Sequence, residues 1–277
     1  MRRLFVVLAC LALAGTAAGA TGPIPDSAAF LTSLQRETGG FAEQGQVPDA
    51  PLTAWAALAL VAANAPVTAR ERAGAFIRTR DKAGATDGDL ALRVVALAAL
   101  GERVDESLLA RLRKHDPDVL VNETMWTVLA LCAVGEQPPP PLVRAILSAQ
   151  SATGGFPWQR GGKPDSNDTA AAIQALRAAG VGGVPIRRAV TALRTFQNRD
   201  GGFSLTKGRP SDTQSTAWAI QALFSAGERP GKAPFRFLSR LRRGDGSYRY
   251  SVQYGTTPVW VTAQVIPALA GRSFPLR

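Results

Sequence analysis

One short pattern recurs along the chain and limits what it can fold into. The pattern is Thr-Ala followed, after four residues, by Ala-Leu, and its copies begin at six positions: Thr53, Leu90, Thr124, Thr169, Thr216 and Thr262. The copies at 90 and 124 are weaker, because one has lost the Thr and the other the first Ala. Steps of 34–47 residues are typical of helical-pair repeats, whose units bury their apolar faces against neighbours. The sequence therefore predicts six units in one domain.

Each unit contains two segments with the periodicity of a helix. The first carries Leu and Phe at spacings of three and four and leaves a polar, Arg-rich stripe for solvent. These segments predict outer helices over Asp26–Leu34, Arg70–Arg78, Glu106–Lys114, Pro141–Gln150, Arg187–Gln197 and Lys232–Arg242. The second is the Thr-Ala segment, which is apolar on nearly every side, as in Ala170–Ala178 and Ala217–Ala226. A helix without a polar face is a buried one, so we expect an all-α fold in which six inner and six outer helices close into an α/α toroid.

A glycine-rich turn joins the two helices in several units. The motif Gln-x-x-x-Gly-Gly-Phe occupies residues 35–41, 150–156 and 197–203, and a degenerate copy ends at Tyr248. A Gly pair permits the positive φ of a sharp reversal, and the aromatic residue can then pack back on the outer helix. We interpret the turn as a structural fastener between units.

These turns, with Trp158 two residues after Phe156, resemble the QW repeat of squalene–hopene and oxidosqualene cyclases. The same terpenoid cyclase and protein prenyltransferase superfamily includes prenyltransferase β subunits, complement-type thioester domains and cobalamin carriers related to intrinsic factor. The resemblance covers about residues 26–270 and implies the α/α toroid. Members of one fold differ in chemistry, so activity has to be argued from individual residues.

The segment Asp165-Ser-Asn-Asp168-Thr-Ala is similar to the Asp-x-Asp-Asp-Thr-Ala acid motif of squalene–hopene cyclases, whose central Asp protonates an alkene. The matching residue here is Asn167, and an amide cannot donate that proton. Asp165 and Asp168 are the remaining candidate catalytic carboxyls. Because Asp168 directly precedes an apolar helix, we expect it mainly to cap the helix. Glu123 and Ser215 hold the same repeat position.

Metal and thioester chemistry find little support in the sequence. A prenyltransferase zinc site needs converging Asp, Cys and His ligands, whereas the single His115 comes before Cys132 and is expected in an exposed turn. Cys132 lies in an apolar helical segment and is predicted to be a small buried residue. Two extra residues before Glu136 separate this segment from the Cys-Gly-Glu-Gln thioester motif. We therefore predict neither a metal nor another cofactor.

The tryptophans and several polar residues lie near the beginnings of the inner helices. Trp55, Trp126 and Trp218 each follow the repeat position by two residues, and Trp260 precedes it by two. If the inner helices begin at one mouth of the barrel, these indoles gather there with polar neighbours. The polar neighbours are Asn122, Asn167, Asp168, Gln214 and Ser215. Either the indoles form an apolar bowl that binds a small molecule, or they fill the barrel.

The N-terminus has the features of a secretory signal peptide. Arg2 and Arg3 precede the apolar run 4–14, and Ala18-Gly-Ala20 is a suitable cleavage site. We therefore predict a signal peptide over residues 1–20, a mature domain over 21–277 and an extracytoplasmic location. Lipid attachment at Cys10 is the alternative. The formal net charge of +11 favours anionic surfaces, although scattered Arg residues on outer helices also explain it.

Taken together, these features predict a secreted, non-catalytic protein that binds a hydrophobic or amphipathic small molecule, such as an isoprenoid or a cobalamin-like compound. A membrane-associated or transporter protein is a candidate partner, and nothing resembles a nucleic-acid module. One alternative is a class II terpene cyclase or prenyltransferase-like enzyme with a degenerate acid motif. Another is a carbohydrate-active barrel, whose two carboxylates would come from Asp165, Asp212 and Glu123.

Overall fold

The computed structural model describes residues 22–80, 85–118 and 120–276, and in these residues it contains α-helices joined by turns and short loops. The helices are α1 (Pro23–Leu34), α2 (Ala50–Ala62), α3 (Val67–Thr79), α4 (Asp87–Ala99), α5 (Glu106–Arg113), α6 (Val121–Ala133), α7 (Pro140–Ser148), α8 (Ser166–Ala178), α9 (Val184–Arg194), α10 (Thr213–Ser225), α11 (Ala233–Leu241) and α12 (Pro258–Leu269). The predicted signal peptide lies outside the described residues.

The even-numbered helices form a closed inner ring, and the odd-numbered helices surround it. Each even-numbered helix packs on the next, and α12 packs on α2. The inner helices are buried on nearly every side, whereas the outer ones expose a polar stripe. The prediction of an all-α α/α toroid of six helical pairs is therefore confirmed. Within the described part of the chain, no helix is both long and apolar enough to cross a membrane.

In four units the repeated Thr connects the inner helix to the turn before it. Its hydroxyl accepts the N–H of the turn aromatic at 2.8–3.0 Å in four units: Phe41 on Thr53, Phe156 on Thr169, Phe203 on Thr216 and Tyr248 on Thr262. In three of them the same hydroxyl also donates to the carbonyl four residues earlier at 2.5–2.7 Å. The pair of bonds satisfies a buried N–H that would otherwise be costly, which explains why this residue recurs.

The third unit replaces the turn with a histidine. His115 is buried, with its Nε2 atom 3.1 Å from the Thr124 hydroxyl and its Nδ1 atom 2.7 Å from an Asp87 carboxylate oxygen. The Thr124 hydroxyl also donates to the Leu120 carbonyl at 3.0 Å, so the imidazole and this carbonyl are its two hydrogen-bond partners. The imidazole thus takes the place of the missing turn aromatic beside this Thr, and the prediction of an exposed His115 is wrong. Cys132 is buried, as predicted.

The glycine-rich turn fastens one unit to the outer helix of the next. Gln35 donates through Nε2 to the carbonyls of Gly39 and Ala69, both at 2.9 Å. The first Gly has a φ of +87°, and a Cβ there would lie 2.2 Å from the Arg72 carbonyl oxygen. Only this first Gly has the positive φ expected of the pair. The second, Gly40, leaves space for an aromatic ring of the next outer helix, which a Cβ would approach to 2.5 Å.

Unit six closes the ring on unit one through the same kind of contact. A Cβ on Gly246 would lie 2.4 Å from the Asp26 carbonyl oxygen of α1. Gly39 makes the same kind of close approach to a carbonyl oxygen of the outer helix of the next unit. The Ser27 hydroxyl donates to the Gly246 carbonyl at 2.7 Å, and Arg242 forms a salt bridge with the Asp26 carboxylate. The turn motif therefore defines the closure of the toroid as well as its repeat.

Candidate functional site

The inner helices all begin at one end of the toroid, which we call the N-terminal mouth. The loop after each turn aromatic crosses the beginning of the preceding inner helix and accepts an N–H from it. These bonds run from Asn122 to the Trp158 carbonyl (3.1 Å), from Ser166 to Leu205 (3.0 Å) and from Thr213 to Tyr250 (2.8 Å). The mouth is thus bordered by loops that are hydrogen-bonded to the beginnings of the inner helices that they cover.

Three tryptophans meet on the axis below this mouth. Trp55, Trp126 and Trp218 come from the alternate helices α2, α6 and α10, and their ring centroids are 5.4–5.9 Å apart in edge-to-face contacts. Such distances are those of directly packed aromatic rings. The corresponding positions on α4, α8 and α12 hold Leu92, Ala171 and Gln264. The structure therefore brings three of the predicted indoles together in one layer.

Phe274, from the segment after α12, completes this layer. Its ring centroid is 5.8–6.0 Å from each of the three indoles, and its N–H donates to the Gln174 Oε1 atom at 2.8 Å. The segment follows the end of α12 and therefore enters from the mouth opposite the helix beginnings. Of the two alternatives, a hollow or a filled barrel, the structure has the axis filled at this level.

One helical turn nearer the N-terminal mouth, the axis is lined by more polar residues. Residues four apart on a helix share a face, so the residues above the indole layer are Pro51, Gly88, Asn122, Asn167, Gln214 and Trp260. Trp260 lies in this upper layer rather than with the other three indoles, and it is partly exposed, as is Trp55 below it. The predicted Asn167 and Gln214 amides are partly exposed here too. We call the region above the indole layer, bordered by these six positions, the bowl.

Asp165 is the residue that caps α8. Its Oδ1 atom accepts the Asp168 N–H at 2.8 Å, and Asp49 and Asp212 cap α2 and α10 in the same way at 2.7 Å. Asp168 is the third residue of the helix, so the prediction that it serves as the cap is wrong. The helix begins one turn before the repeated Thr, which places the cap four residues before that Thr.

Asp168 instead lies buried between two inner helices. The Asn122 side-chain amide donates to its Oδ1 atom at 2.6 Å and so joins α6 to α8. Burial raises the pKa of Asp168 to about 8, and the nearby Asp165 carboxylate adds to the increase, whereas the Asn122 hydrogen bond opposes it. Burial in this position therefore favours the protonated form of the carboxyl group.

Two more carboxyl groups near the mouth have raised pKa values. Burial raises the pKa of Asp212, although the Ser215 N–H and hydroxyl both donate to it. Burial also raises the pKa of Glu43, whose carboxylate accepts the N–H groups of Val259 and Trp260 at the start of α12. Sequence reasoning missed Glu43. Glu43 follows the turn aromatic Phe41 by two residues. In units four to six the residue at this repeat position accepts an inner-helix N–H through its carbonyl, so the repeat position of Glu43 was the available signal.

Among the described residues, no group of three His, Cys, Asp or Glu side chains is placed to hold a metal ion. The His115–Asp87 pair is the nearest approach to a metal-like arrangement, and both partners are occupied by hydrogen bonds within the fold.

The fold and site define a closed α/α toroid with a filled axis and an open, amide-rimmed mouth. The chain belongs to the prenyltransferase alpha-alpha toroid domain family, whose model matches residues 3–233 and 186–259. No curated protein matches the sequence.

Several solved structures share the fold. A protein from Actinoplanes is 18% identical, with a TM-score of 0.63 over 90% of this chain and 98% of that one. A type II terpene cyclase from Scytonema, in complex with geranylgeranyl dihydroxybenzoate, is 16% identical, with a TM-score of 0.64 over 90% and 96%. The Candida albicans protein geranylgeranyltransferase-I, complexed with GGPP, is 13% identical, with a TM-score of 0.65 over 89% and 90%. At these identities the likeness establishes the fold alone.

Proposed function

We propose that this protein binds an isoprenoid or a similar hydrophobic molecule in the bowl of the N-terminal mouth and releases it unchanged. The observation that carries the proposal is the filled axis. Three indoles and Phe274 are all in mutual contact, with centroid distances of 5.4–6.0 Å. A cyclase folds its substrate inside an enclosed chamber, whereas at this level the axis is occupied by side chains.

The chemistry of the remaining acid supports the same proposal. Protonating a carbon–carbon double bond needs a strong acid, and the position of the family acid is occupied by Asn167. Asp168 holds a proton, but a pKa of about 8 makes it a far weaker acid than an ordinary Asp. A weak acid tied to the Asn122 amide is suited to hydrogen bonding rather than to alkene protonation.

The bowl offers complementary groups to an amphipathic chain. The partly exposed indoles of Trp55 and Trp260 provide apolar contact, and the amides of Asn122, Asn167 and Gln214 are placed for a polar end group. Two of the proteins with a similar fold have been solved in complex with geranylgeranyl compounds, which makes C20 prenyl chains the first ligands to test.

The test is calorimetric titration with geranylgeraniol and geranylgeranyl diphosphate, followed by mass spectrometry of the recovered lipid. We expect binding with unchanged lipid, and a loss of about tenfold or more in affinity in Trp260→Ala, since an indole contact of this size is worth 1.4 kcal/mol or more. Trp158→Ala, which removes an exposed indole outside the bowl, is the matched control. No binding, or a cyclised product, would refute the proposal.

The proposal includes export. The leader and its Ala18-Gly-Ala20 site support cleavage before Thr21. N-terminal sequencing of protein recovered from the extracytoplasmic fraction checks this, and an acylated Cys10 or an uncleaved chain would contradict it.

A further inference from the structure

Three loops on the N-terminal mouth carry positive charge and no negative charge. They are residues 157–164, 204–211 and 249–257 of units four to six, and together we call them the basic rim. Their charged residues are Arg160, Lys163, Lys207, Arg209 and Arg249. Arg160 pairs with Asp118, whereas Lys163, Lys207 and Arg209 make no salt bridge with any described residue.

Each of these loops also exposes a large apolar side chain. Trp158 is 51% exposed, Leu205 41%, Val252 62% and Tyr254 63%. The backbone beneath them is fixed, because the carbonyls of Trp158 and Leu205 each accept an inner-helix N–H at 3.0–3.1 Å. The exposure is therefore a property of the folded rim, and four such side chains grouped at one end differ from singly scattered surface residues.

A pocket of about 420 Å³ lies between the first two loops and outer helix α9. Lys163 and Lys207 line it from the two loops, and the other polar lining residues are threonines at positions 153, 191, 195 and 206. The Thr191 and Thr195 hydroxyls already donate to the Arg187 and Ala192 carbonyls. The two ammonium groups are therefore the donors that the pocket offers to an anion. The pocket has the chemistry to accept a phosphate group.

We propose that the basic rim docks on a membrane surface rich in anionic phospholipid, with a lipid phosphate between Lys163 and Lys207. A Trp and a Tyr beside Arg and Lys are typical of proteins that lie at the lipid–water interface, where the ring is partly immersed and the cation meets the headgroups. The inference is independent of the proposed ligand, although it would place the bowl beside a lipid reservoir.

The side of the mouth away from the basic rim differs in charge. The mouth end of α4 carries Asp87 and Asp89 and lacks a comparable basic cluster. An anionic surface repels that side, so the toroid meets the membrane tilted on the basic rim.

The first experiment is co-sedimentation of the full chain with vesicles of phosphatidylcholine alone and with one quarter phosphatidylglycerol. Two basic residues near such a surface contribute roughly thirtyfold in partition, so Lys163→Gln/Lys207→Gln should lose about that factor on anionic vesicles. The matched control, Arg229→Gln/Lys232→Gln, removes two cations from the opposite end and should stay within about twofold. Every variant keeps the same N-terminal segment, so the difference isolates the rim.

The second experiment locates the contact. Vesicles with brominated acyl chains should quench the fluorescence of the wild type, because Trp158 reaches the lipid, and the quenching should largely vanish in Trp158→Phe while binding persists. No dependence on phosphatidylglycerol, equal losses in both double variants, or quenching that survives Trp158→Phe would overturn the proposal. So would full displacement by soluble glycerophosphate, which indicates a free phosphate site, or equal binding to heparin, which indicates an acidic polymer.

Discussion

Replacing Asp168 by Asn tests the reasoning about the mouth most directly. The pKa of Asp168 rises from 3.8 to about 8 on folding, chiefly because the carboxyl is buried. Below about pH 4 the group is protonated in both states, and its contribution to stability is fully present. As the pH rises towards 8, the unfolded chain loses the proton while the folded protein keeps it, so the free energy of unfolding falls. Above about pH 8 both states are ionised and the loss is complete.

The magnitude follows from the same pKa values. One pKa unit corresponds to about 1.4 kcal/mol, so the change from 3.8 to about 8 gives an upper limit of about 5 kcal/mol between pH 4 and pH 8. Asn has no proton to lose, and its Oδ1 atom still accepts the hydrogen bond from Asn122 that is 2.6 Å long in the wild type. At pH 4 the free energy of unfolding of Asp168→Asn should therefore be equal to or lower than that of the wild type. At pH 8 it should be several kcal/mol higher.

The assay is urea unfolding of both proteins from pH 4 to pH 9. The free energies of unfolding are subtracted at each pH, so that the contributions of Glu43 and Asp212, which both proteins share, cancel. Asp165→Asn is the matched control, because Asn also caps helices well and its substitution removes the charge that helps to raise the pKa of Asp168. It should shift the fall in stability to lower pH without abolishing it. Parallel stability curves for the wild type and Asp168→Asn, within about 1 kcal/mol at every pH, would refute the assignment.

Three further predictions concern the packing of the toroid. Phe274→Ala should reduce the free energy of unfolding by about 3–5 kcal/mol and weaken the near-UV circular dichroism of the indoles; an unchanged spectrum would contradict the filled axis. Thr169→Val should cost about 1–3 kcal/mol in urea unfolding by leaving the Phe156 N–H unpaired, whereas Thr169→Ser, which keeps the hydroxyl, should cost clearly less. Gly39→Ala should destabilise by more than Gly45→Ala, because both have positive φ but only Gly39 faces a neighbouring carbonyl; equal effects on the melting temperature would argue against the unit contact.

The fold could be predicted because its determinants repeat locally. The buried Thr, the turn Gln and the Gly with positive φ each contact atoms a few residues away or in the next unit. Their regular spacing in the sequence therefore indicates the helical pairs. Errors arose where one unit departs from the pattern. His115 appears at a turn without the Gly-Gly-Phe motif, and its burial follows from taking over a hydrogen bond to Thr124, which the sequence alone does not reveal.

The site was less predictable because it depends on residues that meet only in the closed ring. The indoles share one repeat position, so their meeting could be expected, but Phe274 enters from a segment with no repeat register. The inner helices begin about one turn earlier than the sequence pattern predicts. The helix cap is therefore Asp165 rather than the predicted Asp168. The raised pKa of Asp168 then results mainly from its burial between two inner helices, where Asn122 reaches it from the neighbouring helix.

The alternation of side-chain size around the axis connects these observations. A ring of six inner helices leaves an axial space whose filling is decided by one residue per helix, and here large indoles alternate with Leu92, Ala171 and Gln264. Since the indoles already touch, a substrate chamber at this level would require smaller residues at 55, 126 and 218. Asn167 occupies the position that, by resemblance, matches the central Asp of the cyclase acid motif. The bowl, the Asp168 carboxyl with its raised pKa and the basic rim all lie at the N-terminal mouth, and for this reason we propose that ligand recognition takes place at that end.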